Sequence, residues 1–192
     1  MPEEDRWRAQ VYALLTRLLM APPTPEVLAM VGAMEGDGTE LGQALNTLAA
    51  VARRTTAEAV EDEYQDLFIG VGAGELTPYG SYYLTGFTYE KPLAKLRIEM
   101  GRLGIARADD VPEPEDHIAS LCEMMSGLIT GAYGAPTELA KQQAFFGVHL
   151  GSWAPKFFQD LEAAKSAALY MPVGTIGRLF MAVESQAFEM AA

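Results

Sequence analysis

Apolar residues recur every three or four positions along most of the chain, which is the spacing of the buried stripe of an amphipathic helix. The first stripe covers residues 7–19 and ends at Ala21-Pro22-Pro23. Further stripes of this kind occupy residues 41–51, 60–68, 93–103, 118–129, 157–169 and 176–188, and another helix is expected from Pro136-Thr137 to about Leu150. The pattern predicts an all-α fold, a multi-helix bundle of roughly eight to ten helices in a single domain of residues 1–192.

Local signals place several boundaries. Thr55 and Glu58 have the spacing of a capping box, so we expect the fourth helix to start after Thr55. Pro114 stands where a proline opens a helix, ahead of the stripe that begins at Ile118. The polar stretch 105–113 before it is expected to be a linker and a possible hinge.

The helical period fails between residues 70 and 90. This stretch is rich in glycine at its start and contains the aromatic residues Tyr79, Tyr82, Tyr83, Phe87 and Tyr89. Structureless loops of about 20 residues are uncommon in compact domains and are often functional. We therefore predict a long functional loop here, without a sheet.

The sequence Glu113-Pro114-Glu115-Asp116-His117 has two interpretations. Its carboxylates could stabilise the positive end of the helix dipole in the first turn of the predicted helix. Alternatively, they could form an acidic rim that accepts hydrogen bonds from arginine side chains, with His117 as a pH-dependent donor. The residues alone leave both open.

Charge and cysteine content narrow the function classes. The formal net charge is −12, which disfavours nucleic acid and anionic lipid as partners and favours a basic segment. The single cysteine, Cys122, fits a reducing compartment. The acidic first residues do not resemble a signal peptide, and no apolar run reaches the roughly 20 residues of a membrane span, so we expect a cytoplasmic protein.

Catalytic and metal-binding patterns are weak throughout. His117, His149 and Cys122 do not have zinc-ligand spacing, and no Glu-x-x-His pair offers di-iron ligands. Residues 70–74 are glycine-rich but lack the Lys-Ser/Thr pair of a phosphate loop. His117 and Cys122 would point to different faces of one helix, and Cys122 lies on the apolar stripe. We therefore expect no enzyme activity, no metal and no cofactor.

Four segments, taken in order, resemble the TorD/DmsD/NarJ family of redox-enzyme maturation chaperones. The likeness covers about residues 58–188. The segments are Glu63-Tyr64-Gln65-Asp66-Leu67-Phe68-Ile69-Gly70, then Pro78-Tyr79-Gly80-Ser81-Tyr82-Tyr83, then Pro112-Glu113-Pro114-Glu115-Asp116-His117-Ile118, and finally His149-Leu150 with Trp153, Pro155, Phe157, Phe158, Asp160 and Leu161.

The resemblance implies a TorD-like all-α chaperone that binds the leader peptide or apo form of a molybdopterin-dependent oxidoreductase of the dimethyl-sulfoxide-reductase superfamily. It implies a role in cofactor insertion and in delaying twin-arginine export, as a monomer or homodimer without stable membrane insertion. The peptide-binding residues it implies are Tyr64, Leu67, Phe68, Pro78, Tyr79, Ser81, Tyr82, Tyr83, Glu115, Asp116 and His117. The alternative is a nucleotide-dependent accessory factor or an acidic scaffold for a folded partner. The resemblance leaves weak guanine nucleotide binding open, because some members of the family have been linked to guanine nucleotides.

Overall fold

The computed structural model describes residues 1–107 and 113–191, and this part of the chain is helical with no strand. A single isolated β-bridge pairs Tyr79 with His117. The predicted all-α class is confirmed. The elements are α1 (Glu3–Leu19), α2 (Pro25–Gly32), α3 (Glu40–Ala52), α4 (Ala57–Tyr64), a π-helical turn (Gln65–Ile69), α5 (Gly80–Thr85), α6 (Lys91–Leu103), α7 (Ile118–Thr130), α8 (Leu139–His149), α9 (Ala154–Ala163) and α10 (Tyr170–Met190).

Threonine side chains begin three of these helices. Thr24, Thr39 and Thr56 each precede a helix and accept a hydrogen bond from the backbone N–H three residues later. The predicted capping box at Thr55 is wrong by one residue, because Thr56 is the N-cap of α4. At the other end of a helix, Gly104 ends α6 with φ +72°, a left-handed conformation that glycine takes without a steric penalty.

The chain forms two compact units, each made of separated stretches. Unit 1 contains residues 1–20, 78–154 and 187–192, and unit 2 contains residues 21–77 and 155–186. The expectation of a single domain stays a prediction. The possible hinge at 105–113 lies partly outside the described residues, since 108–112 are not described.

In unit 1, α1 packs along α7. Two side chains tie these helices together: Thr16 Oγ1 donates to the carbonyl of Ala119 at 3.3 Å, and Ser126 Oγ donates to that of Ala9 at 3.1 Å. Cys122 is fully buried on α7, as expected of a core residue. In unit 2, α2 packs against α3.

Two predictions, one of a loop and one of a helix start, were wrong. The stretch 70–90 contains α5, a helix too short for its periodicity to show in the sequence. The helix predicted to open at Pro114 begins instead at Ile118, because residues 114–117 form a turn that ends at the cap His117. The carboxylates of this turn therefore precede the helix and do not occupy its first turn.

None of the helices in the described part of the chain is both long and apolar enough to cross a bilayer.

Candidate functional site

Two predicted segments, 78–81 and 115–118, meet in unit 1. The Ile118 N–H donates to the Pro78 carbonyl, and the Gly80 N–H donates to the Asp116 carbonyl, both at 2.9 Å. The Tyr79 hydroxyl also donates to the Glu113 carboxylate. The pairing brings residues about 35 positions apart in the sequence into direct contact.

Asp116 is the most unusual polar residue of this cluster, because it is only 3% exposed. Its Oδ2 accepts a hydrogen bond of 2.7 Å from the Ser81 N–H. Its Oδ1 is buried and has no hydrogen-bond partner among the described residues, and the same holds for Ser81 Oγ. A buried acceptor without a donor costs roughly 1–3 kcal/mol, so Oδ1 is a candidate acceptor for a donor from outside the described chain.

A cavity of about 90 Å³ borders Asp116. The rest of its wall is mainly apolar, with Lys95 and His149 as the other charged or titratable members. The lining residues are Gly80, Leu84, Pro92, Lys95, Leu96, Asp116, Leu121, Val148, His149 and Trp153. One buried carboxylate oxygen in a largely apolar wall suits the end of an apolar chain that carries a hydrogen-bond donor.

Trp153 fixes one wall of the cavity. Its indole N–H donates to the His149 carbonyl at 2.6 Å, and its ring lies 5.5 Å from that of Tyr83, between centroids. A Cβ atom at Gly80 would lie 3.0 Å from the indole nitrogen, so a glycine there lets α5 approach the ring closely. Tyr82, on the same helix, is exposed.

His117 is structural in this arrangement. Its Nδ1 accepts a hydrogen bond of 3.2 Å from the Ala119 N–H and caps α7. Burial lowers the pKa of His117 from 6.5 to about 4, so the ring is neutral near pH 7. The prediction of a pH-dependent donor therefore fails in the physiological range.

The Glu115 carboxylate already forms a salt bridge with Arg97 of the same chain. The guanidinium of Arg97 donates to both carboxylate oxygens at 2.8 to 3.1 Å, and Arg107 lies 3.8 Å away. Burial acts to raise the pKa of Glu115, but the hydrogen bonds from Arg97 hold it below its usual value. The predicted acidic rim is therefore reduced to Asp116 and the half-buried Glu113.

The remaining predicted residues, Tyr64, Leu67 and Phe68, belong to unit 2. Leu67 is fully buried. The rings of Tyr64 and Phe68 lie 4.9 Å apart, and both pack on Tyr170, at 6.0 and 5.4 Å. Burial raises the pKa of the Tyr170 hydroxyl, which marks this cluster as part of the core of unit 2.

Glu63, which leads the first of the resemblance segments, has a role that the sequence did not reveal. Its buried carboxylate accepts hydrogen bonds from the N–H groups of Ala168, Leu169 and Tyr170, at 2.7, 3.0 and 2.8 Å. Tyr170 is the first residue of α10, and Ala168 and Leu169 directly precede it. N–H groups at the start of a helix have no partner within the helix, so the Glu63 carboxylate caps this end of α10. Nearby, Glu75 accepts from the N–H groups of Lys165 and Ser166.

Comparison with known proteins identifies the class. Residues 35–159 match the family described as nitrate reductase delta subunit. The chaperone protein TorD of Aliivibrio fischeri is 29% identical over 78% of this chain and 80% of its own length, and that of Vibrio atlanticus is 26% identical over 93% of each. A redox enzyme maturation protein from Archaeoglobus fulgidus has the same fold, with a TM-score of 0.60 at 21% identity over 91% of this chain and 93% of its own.

These relatives are named chaperones, which are a non-enzymatic class. The chain belongs to the nitrate reductase delta subunit family and is a redox-enzyme maturation chaperone of the TorD type. The resemblance seen in the sequence is thereby confirmed.

Proposed function

We propose that this chaperone acts in the cytoplasm on the catalytic-subunit precursor of a molybdopterin-dependent oxidoreductase of the dimethyl-sulfoxide-reductase superfamily. It binds the leader peptide of the apo form, holds the precursor until the cofactor is inserted and delays twin-arginine export. The chaperone itself needs no metal or cofactor for this role. The observation that carries the proposal is the Asp116 Oδ1 atom, buried without a donor beside a largely apolar cavity.

A twin-arginine leader offers two features that complement this cavity, namely hydrogen-bond donors and apolar side-chain atoms. Its arginines offer guanidinium N–H donors for the Asp116 carboxylate, and charge-assisted hydrogen bonds of this kind are about twice as strong as neutral ones. The three-carbon stem of an arginine would pack on Leu84, Leu121 and Trp153. The cavity is smaller than the roughly 150 Å³ cavities that hold benzene, so it suits one side-chain end and not a whole segment.

The charge of the chain supports the same partner. A net charge of −12 attracts a basic leader over several ångströms and raises its association rate, an effect that weakens as salt is added. Leader affinity should therefore fall with salt.

The test is fluorescence anisotropy with a labelled twin-arginine leader peptide, titrated with wild type and Asp116→Asn. An asparagine keeps an oxygen for the Ser81 N–H and puts an NH₂ group in place of Oδ1, where it cannot accept a hydrogen bond from a guanidinium. We expect at least tenfold weaker binding, or about 1.4 kcal/mol. Glu189→Gln, which neutralises an exposed carboxylate at the end of α10, is the matched control and should bind as wild type does.

Equal affinity of Asp116→Asn and wild type would remove Asp116 from the peptide site. An equal loss in Glu189→Gln would mean that overall charge, and not the cavity, sets the affinity.

A further inference from the structure

The outer face of α6 is basic in an acidic protein. Residues 91–107 hold five of the chain's 14 basic residues and one of its 26 acidic ones. Five minus one gives this stretch a charge of +4, so the rest of the chain carries −16. Lys91, Lys95 and Ile98 follow one another at helical spacing along the exposed side of α6, while Leu93, Leu96 and Met100 are buried.

Neither lysine of this face is used by the fold. Lys91 and Lys95 are exposed and make no hydrogen bond or salt bridge with the described residues. Arg97, by contrast, is committed to Glu115. The two ammonium groups are therefore open to an external anion.

Exposed apolar side chains lie on both sides of these lysines in the sequence. Phe87 and Tyr89 are each 70% exposed and Ile98 is 58% exposed, while Leu84 lines the same cavity as Lys95. We name Leu84, Phe87, Tyr89, Lys91, Lys95 and Ile98 the basic-aromatic face. Aromatic side chains are enriched at protein interfaces relative to the rest of the surface.

The backbone holds one of these rings outward at a cost. Tyr89 is the one non-glycine residue of the described chain with a left-handed backbone, at φ +63°. Such a conformation is unfavourable for a residue with a side chain and is concentrated at functional sites. Exposure of the ring compounds this cost, since its apolar surface stays in water.

We propose that the basic-aromatic face binds a short acidic segment of a partner protein, in which carboxylates alternate with apolar side chains. Lys91 and Lys95 are one helical turn apart, a rise of about 6 Å. That distance matches side chains two positions apart on an extended strand, about 6.7 Å. The carboxylates of the segment would pair with the lysines, and an intervening apolar side chain would contact Phe87, Tyr89 or Ile98.

The charge distribution favours a short peptide over an extended anion. Screening at physiological salt limits charge effects to about 8 Å, so the patch and the rest of the surface act separately. A membrane or a nucleic acid would extend past the patch and meet the chain's remaining charge of −16. A segment of about five residues meets only the patch.

The probe is a capped, fluorescein-labelled ten-residue peptide with glutamate at every second position and leucine or serine between, titrated by anisotropy at about 150 mM salt, where the 8 Å screening length applies. We expect saturable binding to wild type, and at least tenfold weaker binding to Lys91→Glu/Lys95→Glu. The control Arg54→Glu/Lys141→Glu reverses two exposed charges elsewhere and should stay within twofold of wild type. A peptide with glutamine in place of glutamate should bind at least tenfold more weakly.

A second double variant tests the apolar part of the basic-aromatic face. Phe87→Ser/Tyr89→Ser should weaken the acidic peptide three- to tenfold without changing its salt dependence. Lys91 does not line the cavity, so Lys91→Glu alone should weaken the acidic peptide and keep the affinity for the twin-arginine leader within twofold of wild type, which separates this inference from the leader site.

Three results would overturn the proposal. One is no saturable binding of the acidic peptide up to 1 mM, and another is an equal loss in the control variant. The third is binding to phosphatidylglycerol vesicles that depends on Lys91 and Lys95 while the peptide does not bind, which would assign the face to a membrane.

Discussion

Two buried carboxylates, one in each unit, accept hydrogen bonds from backbone N–H groups, but they use their oxygens differently. Glu63 in unit 2 accepts three hydrogen bonds with its two oxygens at the start of α10. Asp116 in unit 1 accepts one with Oδ2 from Ser81, and its Oδ1 has no partner in the described chain.

Under the proposed function, the difference separates a structural carboxylate from one that binds the leader peptide. A fully satisfied buried acceptor stabilises the fold, and its removal leaves several donors unpaired. A half-satisfied one contributes less to the fold and keeps an acceptor for a partner. The two residues should therefore respond in opposite ways when stability and peptide binding are measured.

The largest effect is expected at Glu63. In Glu63→Gln an NH₂ group replaces one acceptor oxygen and faces backbone donors, so the free energy of unfolding should fall by roughly 2–4 kcal/mol. Urea unfolding measures it. The control is Glu58→Gln on the exposed side of α4, which should change stability by less than about 0.5 kcal/mol. Equal effects of the two variants would show that the cap on α10 is not important.

His117 should give the next largest effect, visible only in acid. Between pH 6.5 and 4 the unfolded chain binds a proton at this residue that the folded chain does not, because the folded pKa is about 4. The free energy of unfolding therefore falls as the pH drops through this window, by up to roughly 3 kcal/mol.

His117→Asn tests this contribution, since asparagine is a good N-cap and does not titrate. Urea unfolding at pH 7 and pH 4.5 should show a smaller loss in the variant than in wild type. His149, whose pKa burial also lowers, remains in both proteins and cancels in the difference. Parallel pH profiles would contradict the assignment of a neutral buried ring to His117.

A smaller effect is expected at Tyr89, where the usual order of alanine and glycine should reverse. Both substitutions remove the ring, but only glycine relieves the left-handed backbone. Tyr89→Gly should be more stable than Tyr89→Ala by about 1 kcal/mol in thermal or urea unfolding. An alanine variant as stable as the glycine variant would mean that the backbone at this position is not strained.

The smallest change in stability is expected at Asp116. Asp116→Asn keeps the hydrogen bond from Ser81 and loses nothing at Oδ1, so its free energy of unfolding should stay within about 1 kcal/mol of wild type. A loss as large as that of Glu63→Gln would contradict the distinction between the two carboxylates.

Most helices could be predicted from the sequence because their buried stripes repeat over three or more turns, as in α1, α3 and α6. Prediction failed where the structure depends on a single helical turn, because one turn is too short to show a periodic pattern. Helix α5 has only six residues, and Thr55 and Thr56 are equally good caps in the sequence. Pro114 looked like a helix start because nothing local shows that His117 caps α7.

The candidate site was predictable only in part. Asp116 and Ser81 stood out in their segments, but their hydrogen bond joins residues 35 positions apart, which no local pattern encodes. The pairing of Glu115 with Arg97 and that of Glu63 with the start of α10 are likewise long-range contacts. Because of them, two acidic residues that could have bound a basic partner turned out to be used by the fold.

The central claim is tested most directly by titrating the twin-arginine leader against wild type, Asp116→Asn and Glu63→Gln at a temperature where all three are folded by circular dichroism. We predict at least tenfold weaker binding for Asp116→Asn with nearly unchanged stability, and near-normal binding for Glu63→Gln despite its lower stability. Wild-type affinity in Asp116→Asn would contradict the account, since the orphaned oxygen would then have no part in recognition.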